Sequence, residues 1–298
     1  MSAVVEAPLL SVRHLSRHFP VHGGGFSRKP IGVIKAVDDV SFDLPAGETL
    51  GLVGESGSGK TTAARCLLRA IAPTAGAVHF RLPDGRVVDL ATLPERALKP
   101  VRQHVQMVFQ DPFSSLNPRM TVRDIVGEPL VIHGLAAGAE LDDLVSAVLA
   151  RVGLRPEHRS RYPHAFSGGQ RQRIGIARAI IMRPSLLVCD EATSALDVTV
   201  QAQVLDLLKE LQREYRLTYL FIAHNLDVVR GFSDRVAVMR KGRIVEIAPT
   251  AEIFRSPQHP YTRILLSAMP SPDPDVPLNF SVGEELARLD AMSESGAE

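Results

Sequence analysis

Two glycine-rich stretches hold residue types suited to binding anions. The first, Gly54-Glu55-Ser56-Gly57-Ser58-Gly59-Lys60-Thr61, fits the spacing G-x-x-x-x-G-K-[ST] of a phosphate-binding loop. A polyphosphate needs several converging N–H donors, and Gly54, Gly57 and Gly59 let the backbone fold closely enough to supply them. Lys60 adds a point charge for the outer phosphates, and the hydroxyl of Thr61, followed by Thr62, offers a hard oxygen to Mg²⁺. The second stretch, Ser167-Gly168-Gly169-Gln170, opens on a good helix N-cap and leaves the helix start unobstructed, which makes an anion site. One nucleotide does not need two cradles from one protomer. The second cradle is therefore expected to close over a nucleotide held by another chain.

Other candidates stand at the ends of apolar runs. Asp190 and Glu191 follow Leu186-Leu187-Val188-Cys189, a run that reads as a strand buried on both faces. Ligands of open α/β sheets bind beyond the carboxyl ends of strands. There Asp190 would hold Mg²⁺ through its water shell, and Glu191 would orient or deprotonate an attacking water. An acidic turn is the bland alternative, and the upstream phosphate loop weighs against it. Gln110 ends the run 105–109 and His224 ends 220–223. The amide of Gln110 could touch both Mg²⁺ and water, and His224 could hydrogen-bond a γ-phosphate oxygen and sense its loss. His14, His18, His79, His104 and His133 read as structural or surface residues, and Cys189 as a small buried filler.

The elements that must position these residues follow from periodicity. Segments 9–19 and 33–53 read as β, with the glycine-rich stretch from His22 to Pro30 as a hairpin tip. A helix should follow the phosphate loop, so that its positive end faces the phosphates. Residues 121–153 carry helical patterns with breaks expected at Pro129 and Gly134, and a long helix runs from about 169 to 182. The alternation of 185–190, 199–216, 217–223, 225–232 and 234–240 predicts an α/β fold with a mostly parallel sheet covered on both faces. From about 270 the chain is Pro/Asp-rich and then polar, and a partly disordered tail is expected over 271–298.

Composition narrows the function classes. The 298 residues are 45% hydrophobic and 22% charged, in the range of globular proteins. A net charge of +1 gives no basic surface, so no nucleic-acid partner is expected. Cys66 and Cys189 form no C-x-x-C pair, which argues against a zinc or iron–sulfur site built on cysteines; two free thiols suit a reducing compartment. Neither a signal peptide nor an apolar run of about 18 residues is read, so a membrane role would need a partner.

Over about residues 9–269 these motifs resemble the ATP-binding subunit of an ABC transporter. Phe166-Ser167-Gly168-Gly169-Gln170 is similar to the family signature, with Phe where Leu is commoner. Asp190-Glu191 matches the Walker B acids, Gln110 the Q-loop and His224 the switch histidine, while Ser194-Ala195-Leu196-Asp197 resembles the D-loop. Phe19 stands where the family places an aromatic under adenine; a core Phe at a strand end is the other reading. The resemblance implies ATP and Mg²⁺ as cofactors and a P-loop NTPase (RecA-like) fold within 1–270. Its core and antiparallel β subdomain would cover about 9–111 and 184–250, and an inserted α-helical signature subdomain about 112–183.

The stretches from Gln110 to Arg119, Arg161-Tyr162-Pro163-His164 and His259-Pro260-Tyr261-Thr262 are similar to the dipeptide/oligopeptide/nickel importer subgroup. That likeness implies a second ATP-binding subunit, two transmembrane permease subunits and, indirectly, a solute-binding protein. It also implies a peripheral place on the cytoplasmic face of the bacterial inner membrane. Ala165 departs from the Gln or Glu common before the signature, Thr61-Thr62 replaces Ser-Thr, and a C-terminal cysteine segment found in many members is not read here. The competing function is a soluble ABC ATPase of translation or DNA repair. A single phosphate loop and the lack of zinc cysteines or a coiled-coil insertion count against it.

Overall fold

The computed structural model describes residues 7–22, 30–111, 114–269 and 282–295. The hairpin tip expected between His22 and Pro30 falls largely outside them, although these two residues pair across the strands that lead to it. The first half of the chain forms β1 (Leu10–His22), β2 (Pro30–Leu44), β3 (Thr49–Val53), α1 (Lys60–Leu67), β4 (Ala75–Arg81), β5 (Val87–Asp89), α2 (Glu95–Val101) and β6 (Val105–Val108). Next come α3 (Val122–Ile132), α4 (Gly138–Arg151), α5 (Gly168–Ile180), β7 (Leu186–Asp190), α6 (Val198–Tyr215), β8 (Thr218–Ile222), α7 (Leu226–Phe232), β9 (Arg235–Arg240) and β10 (Arg243–Pro249). Three helices close the described chain: α8 (Thr250–Arg255), α9 (Pro260–Ser267) and α10 (Val282–Ser295).

The strands sort into two sheets. One is antiparallel, in the order β2-β1-β4-β5. The other runs β10-β9-β3-β8-β7-β6 and is parallel except for its β10 edge. The period of two along each parallel strand divides its side chains between two cores. Leu186 and Val188 of β7 pack with α1 and the antiparallel sheet, whereas Leu187 and Cys189 pack with α5 and α6. On α6 the buried Val204, Leu207, Leu208 and Leu211 follow the helical spacing of one apolar stripe. Burying each such side chain contributes about 1.5–3 kcal/mol relative to leaving it in water.

Two sequence expectations change. The segment read as β over 33–53 is two strands in different sheets, parted by a turn in which Gly47 has φ 78°. Pro129 does not break its helix: it lies inside α3, whose buried Ile125, Val126 and Leu130 hold the helix to the core and offset the missing N–H. Only Gly134, at φ 65°, ends the segment, and Leu135 N–H closes back on the Leu130 carbonyl at 2.8 Å. Within the stretch 271–298, for which partial disorder is expected, residues 282–295 form α10, with Leu286 and Leu289 packed against the core.

Candidate active site

Four adjacent strands of the parallel sheet end side by side, and each delivers one part of the site. After β3 the chain turns into the phosphate loop. A Cβ at Gly54 (φ 149°) would lie 2.1 Å from the Met239 carbonyl oxygen, and one at Gly59 (φ 105°) 2.0 Å from that of Ala36. Glycine is thus required at both by backbone pressing from two directions. Gly242 N–H donates to the Ser58 carbonyl at 2.9 Å, pinning the loop from behind. Gly59 caps α1, so this helix points its positive end into a cleft of about 290 Å³ lined by Gly57, Gly59, Lys60, Thr61, Gln110 and Glu191.

Lys60 is only 5% exposed. Its Nζ donates to the carbonyl oxygens of Gly54 (2.8 Å) and Glu55 (2.7 Å) and to Ser58 Oγ (3.3 Å). Burial lowers its pKa, opposed by the carboxylates of Glu191, Asp190 and Glu55. The ammonium is held by its own loop, and an arriving phosphate would exchange with those carbonyls. A charge-assisted hydrogen bond is worth about 1.5–3 kcal/mol. Lys60→Ala should therefore weaken nucleotide binding by about 10- to 100-fold per bond lost. Titration of the purified chain, with a melting curve as the folding control, measures this; an unchanged affinity would count against Lys60 as a phosphate ligand.

Asp190 ends β7, 3% exposed, and its Oδ1 accepts from the Thr61 hydroxyl at 3.0 Å. Burial raises its pKa, with the Thr61 hydrogen bond acting the other way. This pair of hard oxygens beside the cleft fits Mg²⁺, which takes one or two protein oxygens and completes its shell with phosphate and water. Among the described residues no cluster of three His, Cys, Asp or Glu side chains that could hold a metal is found.

Glu191 follows at φ 47°, a left-handed turn that re-aims its side chain off the line of the strand, while its N–H donates to the Ile222 carbonyl at 2.9 Å. Gln110 Nε2, beyond β6, donates to Glu191 Oε2 at 2.6 Å, and His224 Nδ1, beyond β8, lies 3.5 Å from the same oxygen. The three candidate catalytic side chains thus converge on one carboxylate oxygen.

The second cradle lies apart from this cleft, whose lining includes none of Ser167, Gly168, Gly169 or Gln170. Ser167 Oγ accepts Gln170 N–H at 3.4 Å and Gln170 Oε1 accepts Ser167 N–H at 3.1 Å, a reciprocal cap on α5. That cap uses the serine oxygen as an acceptor and leaves its O–H proton to donate. A Cβ on Gly169 would sit 2.5 Å from Val200 Cγ1, so close packing of α5 on α6 is reason enough for this glycine. Asp197 caps α6, accepting Val200 N–H at 2.9 Å. Phe19 on β1 is half-buried opposite Ile34, with the Arg17 guanidinium 4.4 Å above its ring, and is not part of the cleft lining.

Sequence reading missed three supports of the loop: Ala36, the Met239–Gly242 turn and Tyr261, whose hydroxyl accepts Glu55 N–H at 3.1 Å. Only Tyr261 carried a signal, in its HPYT stretch.

A phosphate loop, strand-end acids and a helix opening on Ser167 define a P-loop ATPase cassette, and residues 37–194 match the ABC transporter family, to which the chain belongs. Residues 245–296 match the C-terminal region of oligopeptide/dipeptide transporters. The chain is 52% identical to the oligopeptide transport ATP-binding protein AppF of Bacillus subtilis, over 91% of this chain and 80% of that protein. It is also 52% identical to the glutathione import ATP-binding protein GsiA of Salmonella choleraesuis, over 91% of this chain and 43% of that protein. The ATP-binding cassette MJ0796, solved as a dimer bound to ADP and Pi, has a TM-score of 0.70 at 25% identity, covering 81% of this chain and 98% of that one.

Proposed function

We propose that the chain is the ATP-hydrolysing subunit of an importer for peptides or similar small solutes, working as one of two cassettes that sandwich two ATP. The observation that carries this reading is the convergence of Lys60, Thr61, Asp190, Glu191 and Gln110 on one cleft, with the Ser167 helix start outside it. The phosphates would lie on the loop and on the N-terminus of α1, and adenine against Phe19. Mg²⁺ beside Thr61, Asp190 and Gln110 would neutralise phosphate charge. Glu191 would accept a proton as water bonds the γ-phosphorus and the bond to ADP breaks, with His224 donating to the γ-phosphate. A partner's Ser-Gly-Gly-Gln would close over that phosphate, and this chain's Ser167, Gly168, Gly169 and Gln170, with Asp197, would serve the partner's ATP. Swinging a two-state closure from 1:99 to 99:1 takes about 5.5 kcal/mol. A few charge-assisted hydrogen bonds per nucleotide, at about 1.5–3 kcal/mol each, supply it.

Among the described residues no helix is long and apolar enough to cross a membrane, so transport requires membrane subunits. An apolar groove between α2, β6 and α3, walled by Leu98, Val101, Met107, Phe109, Pro129 and Arg178, adjoins Gln110 and suits a permease segment. A permease docked there would put the cassette on the cytoplasmic face of the inner membrane, with a solute-binding protein beyond the permeases. Similar relatives are named for oligopeptide and for glutathione import at one level of identity, which supports a peptide or similar small solute as the cargo class. Reconstitution with the two permeases, a partner cassette and the binding protein tests the reading. Peptide uptake should require ATP hydrolysis by this chain; hydrolysis without any permease coupling would overturn it.

A further inference from the structure

The C-terminal region reaches the phosphate loop through Tyr261, which is not part of the cleft lining. Tyr261 of α9 is fully buried, and its hydroxyl accepts the N–H of Glu55, in the first turn of the loop, at 3.1 Å. The Arg240 guanidinium stacks on the ring at 4.9 Å from its centre. A chain of polar contacts fixes where this tyrosine sits. Glu246 of β10 accepts Gln258 N–H at 2.8 Å and His259 N–H at 3.0 Å, shaping the turn into α9. His259 Nδ1 then caps the helix by accepting Tyr261 N–H at 3.1 Å. Burial pushes the phenol up to about 12, with the Glu55 N–H pulling the other way, so the oxygen meets that N–H as a neutral hydroxyl. Leu286 of α10 lies against the same outer side of the loop, beside Tyr261 and Arg240.

Gly54 and Gly59 are hemmed in by backbone, but a Cβ at Gly57 would meet nothing within 4 Å, and the N–H groups of this open part must converge on the phosphates. A hydrogen bond from outside, at the start of the loop, removes a rotation that nucleotide binding would otherwise have to freeze. We propose that Tyr261 is a positioning residue that fixes the first turn of the phosphate loop, so that the C-terminal segment sets nucleotide affinity. The inference depends on the cleft being the nucleotide site.

Tyr261→Phe tests it, since the ring and its stacking on Arg240 remain and only the hydroxyl is lost, with its bonds to the Glu55 N–H and side chain. In the full chain, dissociation constants for ATP and ADP should both rise about fivefold, the worth of one neutral hydrogen bond. The Glu55 amide should exchange faster, and in the reconstituted complex KM for ATP should rise with kcat unchanged. Equal affinities in wild type and variant would overturn the proposal. Failure of the wild type to bind nucleotide would instead overturn the functional reading beneath it. Should Tyr261→Phe not fold, Glu246→Gln, which loosens the turn holding Tyr261, takes its place: weaker nucleotide binding supports the proposal, and unchanged affinity overturns it.

Discussion

Glu191→Gln should bind ATP as tightly as the parent chain and turn it over about 100- to 10,000-fold more slowly, the range a positioned general base contributes. The amide keeps the size of the side chain and can still meet Gln110 Nε2, which now donates to Glu191 Oε2 at 2.6 Å. What it loses is the oxygen that can take a proton from water. The left-handed backbone at 191 (φ 47°) is no harder for Gln than for Glu, so the fold should be untouched. With hydrolysis stopped and ATP retained, the closed pair of cassettes should accumulate and elute as a dimer only when ATP is present. Turnover within a factor of about two of the parent would remove Glu191 from the role of base.

Ser167→Arg should leave nucleotide binding by the isolated chain near normal and abolish hydrolysis by the assembled complex. The helix start it blocks is absent from this chain's own cleft, so any effect must fall on the opposite site. One confounding cost is the lost cap: Ser167 and Gln170 bond reciprocally, and removing an N-cap costs about 1 kcal/mol. Ser167→Asp separates the two effects. Aspartate caps as well as serine but sets a negative charge where the partner's γ-phosphate would arrive. Full stability and full binding in the single chain, with hydrolysis lost in the complex, is the expected combination. Loss of binding by the isolated chain would overturn the idea that this cradle serves a second protomer.

The cleft was legible because its parts are local. A phosphate loop is eight consecutive residues, and Gln110, Asp190, Glu191 and His224 each follow an apolar run that the sheet brings to one edge. What stayed hidden depends on distant packing. Glu55 and Tyr261 are 206 positions apart, and nothing in either neighbourhood announces the other. Pro129 reads as a breaker until the apolar face of α3 is seen holding the helix in place. Within the polar tail, α10 docks through Leu286 and Leu289, two apolar residues too few to stand out in the sequence.

The contact between Gly169 and Val200 bears on how the two ATP sites would time their work. Gly169 lies one residue into the helix that begins at Ser167, while Val200 sits in the first turn of α6, just beyond this chain's own Glu191. A Cβ at 169 would lie only 2.5 Å from Val200 Cγ1, so glycine lets the two helix starts pack directly against each other. On the two-site reading, one belongs to the partner's nucleotide and the other to this chain's. If a shift of one helix start is passed on through this contact, the pair would fire as a coupled engine with sigmoidal dependence on ATP, instead of as two independent cylinders.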